Sequence, residues 1–287
     1  MNQPELIPEL LVNEHCACGE NPLWDDARGV LYWCDIPAGK VFEWDAISGE
    51  HRLIFQGPEM GAFTLQQDGS LLLLFTGSAA RLDPESGEII VLKEGIVGDT
   101  GRFNDCIATP LGDIYAGTVD WEQKTRGALF RLDLQGNATS ICSGTACSNG
   151  LGWTPDGSGL YWADSTAKTV YLFDYDRDGA ISNRREWLKT PNLTPDGLTT
   201  DSQGGVWVAF FDGGMLRHYA PDANLIQQIE IPAKNVTSCI FGGADLDELF
   251  VTTAGGKAES GSMDGALFRL KPNAKGMREH RSRVLLG

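Results

Sequence analysis

Residues Pro155–Trp162 read P-D-G-S-G-L-Y-W, a proline-aspartate-glycine turn that runs directly into a short apolar strand. The same turn-plus-strand phrase recurs as D-D-A-R-G-V-L-Y-W ending at Trp33, Q-D-G-S-L-L-L ending at Leu73 and P-L-G-D-I-Y-A ending at Ala116. It returns as S-Q-G-G-V-W-V ending at Val208 and A-D-L-D-E-L-F-V ending at Val251. Successive end points lie 40 to 46 residues apart, the period of one four-stranded propeller blade. Six copies predict an all-β, six-bladed β-propeller.

Local chemistry agrees with this reading. Leu71–Phe75, Gly159–Ala163 and Gly205–Phe210 are short segments rich in leucine, β-branched and aromatic residues, bounded by Asp-Gly or Gly-Gly pairs as strand-turn-strand structure requires. Four further phrases, V-F-E-W-D at Val41–Asp45, A-L-F-R-L-D at Ala128–Asp133, V-Y-L-F-D at Val170–Asp174 and A-L-F-R-L-K at Ala266–Lys271, read as the outer strand pair of blades. No long segment keeps a helical period, and Ser182 to Lys189 is the only stretch left open to a short helix. The 35 glycines have no collagen period and are explained by turns. With no linker and no composition shift, residues 1–287 read as one domain, a length that closed all-β architectures commonly reach. The first dozen residues read as a lead-in strand. The basic tail from Lys275 to Arg283 reads as a closing strand with a frayed end beyond it.

A formal net charge of −16 argues against nucleic acid, whose binding needs a cationic surface, and disfavours anionic membranes. It suits either a solvated acidic surface or an acidic cavity that concentrates cations. The start, M-N-Q-P-E-L-I-P-E-L, lacks the basic and apolar regions of a signal peptide, and no segment has the ~18 apolar residues of a membrane span. Seven cysteines, an odd number in no zinc-type spacing, read as small buried hydrophobes. Cytoplasmic residence follows as the expectation.

Phase within the repeat selects the candidate site. Glu20, Asn104, Asn149 and Asp196 each stand 12 or 13 residues ahead of the end point of their phrase, with Gly61 and Ser238 near the same phase in the other two blades. Equivalent positions on the innermost strands of a propeller face its axis. Two carboxylates and two amides there offer oxygen donors to a hard divalent cation, and the lack of His or Cys argues against zinc as the preferred metal. His15, His51, His218 and His280 are all off phase and read as surface or packing residues. The competing reading for any one position is turn closure, because Asn149-Gly150 and Asp196-Gly197 are ordinary turn pairs; repetition at one phase favours the ring.

The motifs also carry a family resemblance. G-E-N-P-L-W at Gly19–Trp24, R-F-N-D at Arg102–Asp105, A-G-T at Ala116–Thr118, S-N-G-L-G-W at Ser148–Trp153, P-D-G-L at Pro195–Leu198 and N-V-T-S-C-I-F-G-G at Asn235–Gly243 resemble, in order, the senescence-marker-protein, gluconolactonase and luciferin-regenerating-enzyme family of regucalcin-like proteins. That resemblance implies one catalytic divalent metal on the propeller axis, Ca2+, Mg2+, Mn2+ or Zn2+, held by Glu20, Asn149 and Asp196. It implies substrate contacts from Arg102 and Asn104, and from Asp120 or Glu122, between which V-D-W-E does not decide. Where many relatives have glycine after N-D, this chain has Cys106, which reads as packing rather than as a nucleophile, since no phased His stands ready to activate it.

The implied chemistry is opening of a sugar lactone by water, with the ion as Lewis acid and Asp196 preferred over Glu20 as base. Three rivals remain: a calcium-binding regulatory propeller without turnover, an organophosphate or other ester hydrolase on the same site, and a scaffold that binds protein partners. A pure ion site has no need of Arg102 and Asn104. Gly61, lacking a side chain, is expected to leave an opening beside the ion for water or a lactone oxygen.

Overall fold

In a computed structural model describing residues 6–98, 100–122, 126–255 and 262–286, the six sequence phrases become six four-stranded antiparallel sheets. The innermost strands are Gly19–Asp25, Met60–Leu65, Arg102–Ala108, Ser148–Trp153, Thr194–Thr200 and Asn235–Gly242. Blades 1 to 5 each take four consecutive strands. Blade 6 takes three and is completed by the N-terminal strand Glu9–Val12, which pairs with Leu267–Leu270. The last blade is therefore built from both ends of the chain, which closes the ring.

Burial follows position within the blade. The second strands Val30–Asp35, Ile114–Val119 and Gly159–Asp164 are buried throughout, because a neighbouring blade covers each face. Their apolar run without alternation is what a strand covered on both sides requires. Trp33, Trp162 and Trp207 are each 1% exposed, and burying a side chain of this size contributes roughly 2–3 kcal/mol. Fourth strands face water, as in His51–Gln56 and Ile181–Lys189. The phrases at Val41, Ala128, Val170 and Ala266 fall in third strands, as expected.

Two expectations are corrected. Ser182 to Lys189 contains no helix: it lies in the edge strand Ile181–Lys189, where a run of polar residues is tolerated because one side of the strand is open to water. The tail from Lys275 to Arg283 is not a closing strand either. It crosses the end of the axis as a strap, with Gly276 bridging Asp201 and donating its N–H to Leu246 O at 2.8 Å. Arg281 pairs with Asp25 at 2.6 Å, the Ser282 Oγ meets Thr64 Oγ1 at 2.7 Å, Arg283 N donates to Gly112 O at 2.6 Å, and His280 lies edge-on to Trp153. The strap thus touches all six blades. It touches them at the turns that follow the innermost strands, the end of the axis away from Glu20 and Asp196.

No helix occurs among the described residues, so none there is long and apolar enough to cross a membrane.

Candidate functional site

Glu20, Asn104, Asn149 and Asp196 are the second or third residues of their innermost strands, so all four stand at the same end of the axis. In each of the six blades the pairing of first and second strand slips at this level, between Glu20 and Leu23, Met60 and Ala62, Phe103 and Asp105, Ser148 and Leu151, Pro195 and Leu198, and Val236 and Ser238. A bulge frees a residue from the ladder and re-aims its side chain. Repeated around a ring, it turns six strand starts toward one another.

The glycines of the motifs serve this convergence rather than turns. A Cβ on Gly150 would meet Asp196 O at 2.5 Å, and one on Gly197 would meet Ser238 Oγ at 2.1 Å. Both lie inside strands, where the next blade passes too close for a side chain. The turn reading of Asn149-Gly150 and Asp196-Gly197 therefore fails. Gly61 needs a correction of its own: a Cβ there would sit 1.6 Å from Phe103 O. The space is filled by the backbone of blade 3, so Gly61 permits close packing and leaves no opening.

Three side chains of the ring carry unmet electrostatics. Glu20 is 6% exposed, and its Oε2 accepts from Asn21 N at 2.8 Å. Burial, and then the Asp105 carboxylate, push its pKa up to about 8 against the pull of Arg102. Asp196 is 5% exposed and lies well above the ordinary carboxylate range, through burial and then through repulsion from Glu20 and Asp105. Asn149 donates from Nδ2 to Asp196 Oδ1 and, at 3.2 Å, to Ser165 Oγ. Ser165 spends its own proton on Pro195 O at 2.7 Å, so its oxygen can only accept from Asn149, and this fixes the amide orientation. Asn149 Oδ1 is then buried with no partner, an uncommon and costly state for a polar atom.

Asn104 and Arg102 form a second group. Asn104 Oδ1 accepts from Arg102 Nη1 at 2.9 Å, and its Nδ2 donates to Ser148 O at 3.0 Å. Arg102 also donates to Phe103 O at 2.9 Å and pairs through Nε with Glu59 Oε1 at 3.0 Å. Glu59 was missed in the sequence, although it stands two residues before the phased Gly61. Asp120 and Glu122 follow the second strand of blade 3. The Asp120 side chain is 12% exposed, lies 3.6 Å from Arg126 Nε and accepts from Glu122 N at 3.0 Å, whereas Glu122 is exposed. Part of the loops at 95–100 and 120–126 lies outside the described residues.

No cysteine or histidine holds a ring position, although the buried Cys147 Sγ lies 3.7 Å from both ring amides, Asn104 Nδ2 and Asn149 Nδ2. All seven cysteines are free, and Cys106 packs in a core cluster with a thiol that burial keeps protonated. His218 is stacked on Trp207 at 4.0 Å and lies 3.0 Å from Asp201, so it locks blade 5. Among the described residues no three His, Cys, Asp or Glu side chains gather as a metal-binding group. The set at the ring is two carboxylates and one amide.

Residues 18–255 match the family described as SMP-30/Gluconolactonase/LRE-like region. The chain belongs to this SMP-30/gluconolactonase/LRE-like family. Within it, the chain is 38% identical to the Haloferax volcanii protein named pentonolactonase XacC, across 96% of this chain and 98% of that one. It is 33% identical to regucalcin of Bos taurus, across 86% of each. Among solved structures, a luciferin-regenerating enzyme superposes with a TM-score of 0.89 at 25% identity, covering 97% of this chain and 99% of the other. The family span begins just before Glu20 and ends at Gly255, so all the ring residues lie within it and the C-terminal strap does not.

Proposed function

We propose that this protein is a metal-dependent lactonase that opens a sugar lactone to its hydroxy acid. The observation that carries the reading is the orphaned Asn149 Oδ1 beside two buried carboxylates, Glu20 and Asp196, that repel each other. A divalent cation meets both needs at once: it supplies the missing partner and neutralises the repulsion. The residues present therefore fit the ion, with Glu20, Asn149 and Asp196 as its holders. An all-oxygen set suits Ca2+, Mg2+ or Mn2+, and Zn2+ also accepts it. When bound, the ion supplies Lewis-acid polarisation of the lactone carbonyl.

The chain's own residues supply the remainder. Arg102, held by Phe103 O, Asn104 and Glu59, presents a fixed guanidinium to substrate oxygens and to the negative charge that develops on them. Asn104 sets that orientation and ties it to the strand bearing Asn149. Asp196, whose Oδ1 accepts from Asn149 Nδ2, takes the proton of the attacking water and returns it to the leaving ring oxygen. Of the two loop acids, Glu122 is the one exposed to meet a sugar hydroxyl, while Asp120 shapes the loop through the Glu122 N–H and Arg126.

Arg102 is also what separates this reading from a calcium-binding propeller without turnover, because an ion site gains nothing from a cation beside it. The relative named pentonolactonase, similar along nearly its whole length, puts five-carbon lactones first among substrates. The test is proton release from a panel of pentono- and hexonolactones, run on chelator-stripped protein resupplied with each metal in turn. Turnover that returns with a metal supports the proposal; binding of metal with no excess over spontaneous ring opening would sink it.

A further inference from the structure

A cavity of about 320 Å³ lies on the axis, away from its Arg102 end. It lies beneath the ring, and residues of five innermost strands and the strap form its walls. Asn21, Asp105 and Ser238 line it just past the ring, and Pro155, Gly157 and Glu279 line its far end. Between them Leu23, Ile107, Leu151, Leu198 and Ile240 contribute one apolar side chain per blade, each two or three residues beyond the ring position, as a collar. At ~30 Å³ per water the space holds on the order of ten molecules, and its polar walls make it wet.

We propose that this lower cavity is a second entrance to the site, passing water in and the reaction's proton out while sugar uses the opposite end, with Glu279 as proton acceptor at the outer end. The inference rests on the lactonase reading above. Water adds to the lactone carbonyl carbon, the ring C–O bond breaks, and the new carboxylic acid ionises near neutrality, so each turnover consumes one water and releases one proton. On this reading a lactone seated against Arg102 occupies the upper end of the site, and the lower cavity offers water and the proton a route of their own.

Glu279 suits the outer position. It is half-buried, and removal from water and then the field of Asp105 raise its pKa to about 7, close to the pH at which proton exchange is fastest. At the inner end Asp105 accepts from Cys106 N at 2.7 Å, and burial raises its pKa to about 7 as well, so the two carboxyls bracket the cavity. The other charged or titratable groups of the lining are engaged or neutral. Arg278 is paired with Asp26 at 3.3 Å. Asp156 is held ionised by Thr154 and Ser158, burial keeps His280 neutral, and burial keeps Cys106 and Cys239 protonated. Glu279 is thus the one carboxyl that the strap adds to the lower end.

The test uses the full metal-loaded protein and two variants, Glu279→Gln and the cavity-narrowing Leu151→Phe, each with its melting temperature measured. We expect Glu279→Gln to lower kcat about tenfold with KM unchanged, less than the 10²–10⁴ of a group touching the reacting atoms. Rising concentrations of a small buffer such as formate or imidazole should restore the rate, because a mobile acid replaces the lost one. Leu151→Phe should also lower kcat at constant KM, without buffer rescue. If both folded variants keep kcat within twofold of the parent and show no buffer dependence, the passage is refuted while the lactonase reading stands. A parent protein that opens no lactone with any metal overturns both.

Discussion

The two ends of the propeller axis carry polar groups of similar kinds but treat them oppositely. At the strap end a carboxylate, a hydroxyl and an amide each have a counterpart: Asp25 has Arg281 at 2.6 Å, Thr64 has Ser282 at 2.7 Å, and Gln66 donates to Val284 O at 2.7 Å, although Asp25 Oδ2 and Trp24 Nε1 stay buried without a partner. At the ring end Asn149 Oδ1 has nothing, and Glu20 and Asp196 face each other with raised pKa values. Matched polar groups hold a fold together. Unmatched ones, kept in place by six bulged strands, are the groups that the proposed cation would complete.

The comparison is broken most severely by exchanging charge at each end. Asp196→Asn should lower kcat/KM on the order of 10³-fold, the scale of losing a charge-stabilising group, while the metal-free protein melts no lower, because a buried repulsion is removed. Activity within tenfold of the parent contradicts the ring assignment. At the other end Arg281→Ala leaves Asp25, which is 1% exposed, without its cation. Chemical denaturation should show a loss of about 3 kcal/mol, as for a broken buried pair, with KM for the lactone unchanged; an unaltered unfolding midpoint means that the strap does not hold the blades.

A subtler substitution sharpens the contrast. Arg102→Lys keeps the charge but loses the fork that reaches Phe103 O and Asn104 together. Steady-state kinetics should show kcat/KM down about tenfold with the melting temperature within a degree or two.

The smallest effect is a pH dependence. The pKa of Glu20 in the metal-free fold is about 8, above its ordinary 4.5. Its neutral form therefore favours the fold at low pH, and that contribution is lost as pH rises through 8. A cation needs the ionised form and reverses the penalty. The calcium-induced rise in melting temperature should then be larger at pH 8 than at pH 5.5; calorimetry showing an equal or smaller rise at pH 8 excludes Glu20 as a ligand.

How much of this was legible depends on how far away the deciding atoms lie. The ring residues were visible because a blade repeats, and a repeat translates phase into place. Arg102 and Asn104 stood out through their motif. Glu59 did not, since its contact with Arg102 joins adjacent blades across 43 positions of sequence. Asp105 was quoted in R-F-N-D without a role, and only the cavity shows that it faces the axis beneath the ring.

The misreadings have the same origin. Gly61 was read as an opening because its own neighbours in sequence say nothing about Phe103 O, 1.6 Å from where a Cβ would be. The tail was read as a closing strand with a frayed end. Its partners are turns of all six blades, and those turns meet only after the ring has closed.

The sequence by itself determined the six blades, the outer strand pairs of four of them and the oxygen-bearing residues at one phase, since these follow from local turn chemistry repeated at a nearly constant period. Tertiary structure decided which end of the chain closes the ring, which glycines exist to let backbones pass, and that a buried carboxylate meets an arginine at one end of the axis and another carboxylate at the other. Those outcomes depend on contacts between residues up to 260 positions apart, as between Glu9 and Arg269, and a period does not encode which distant surfaces will meet.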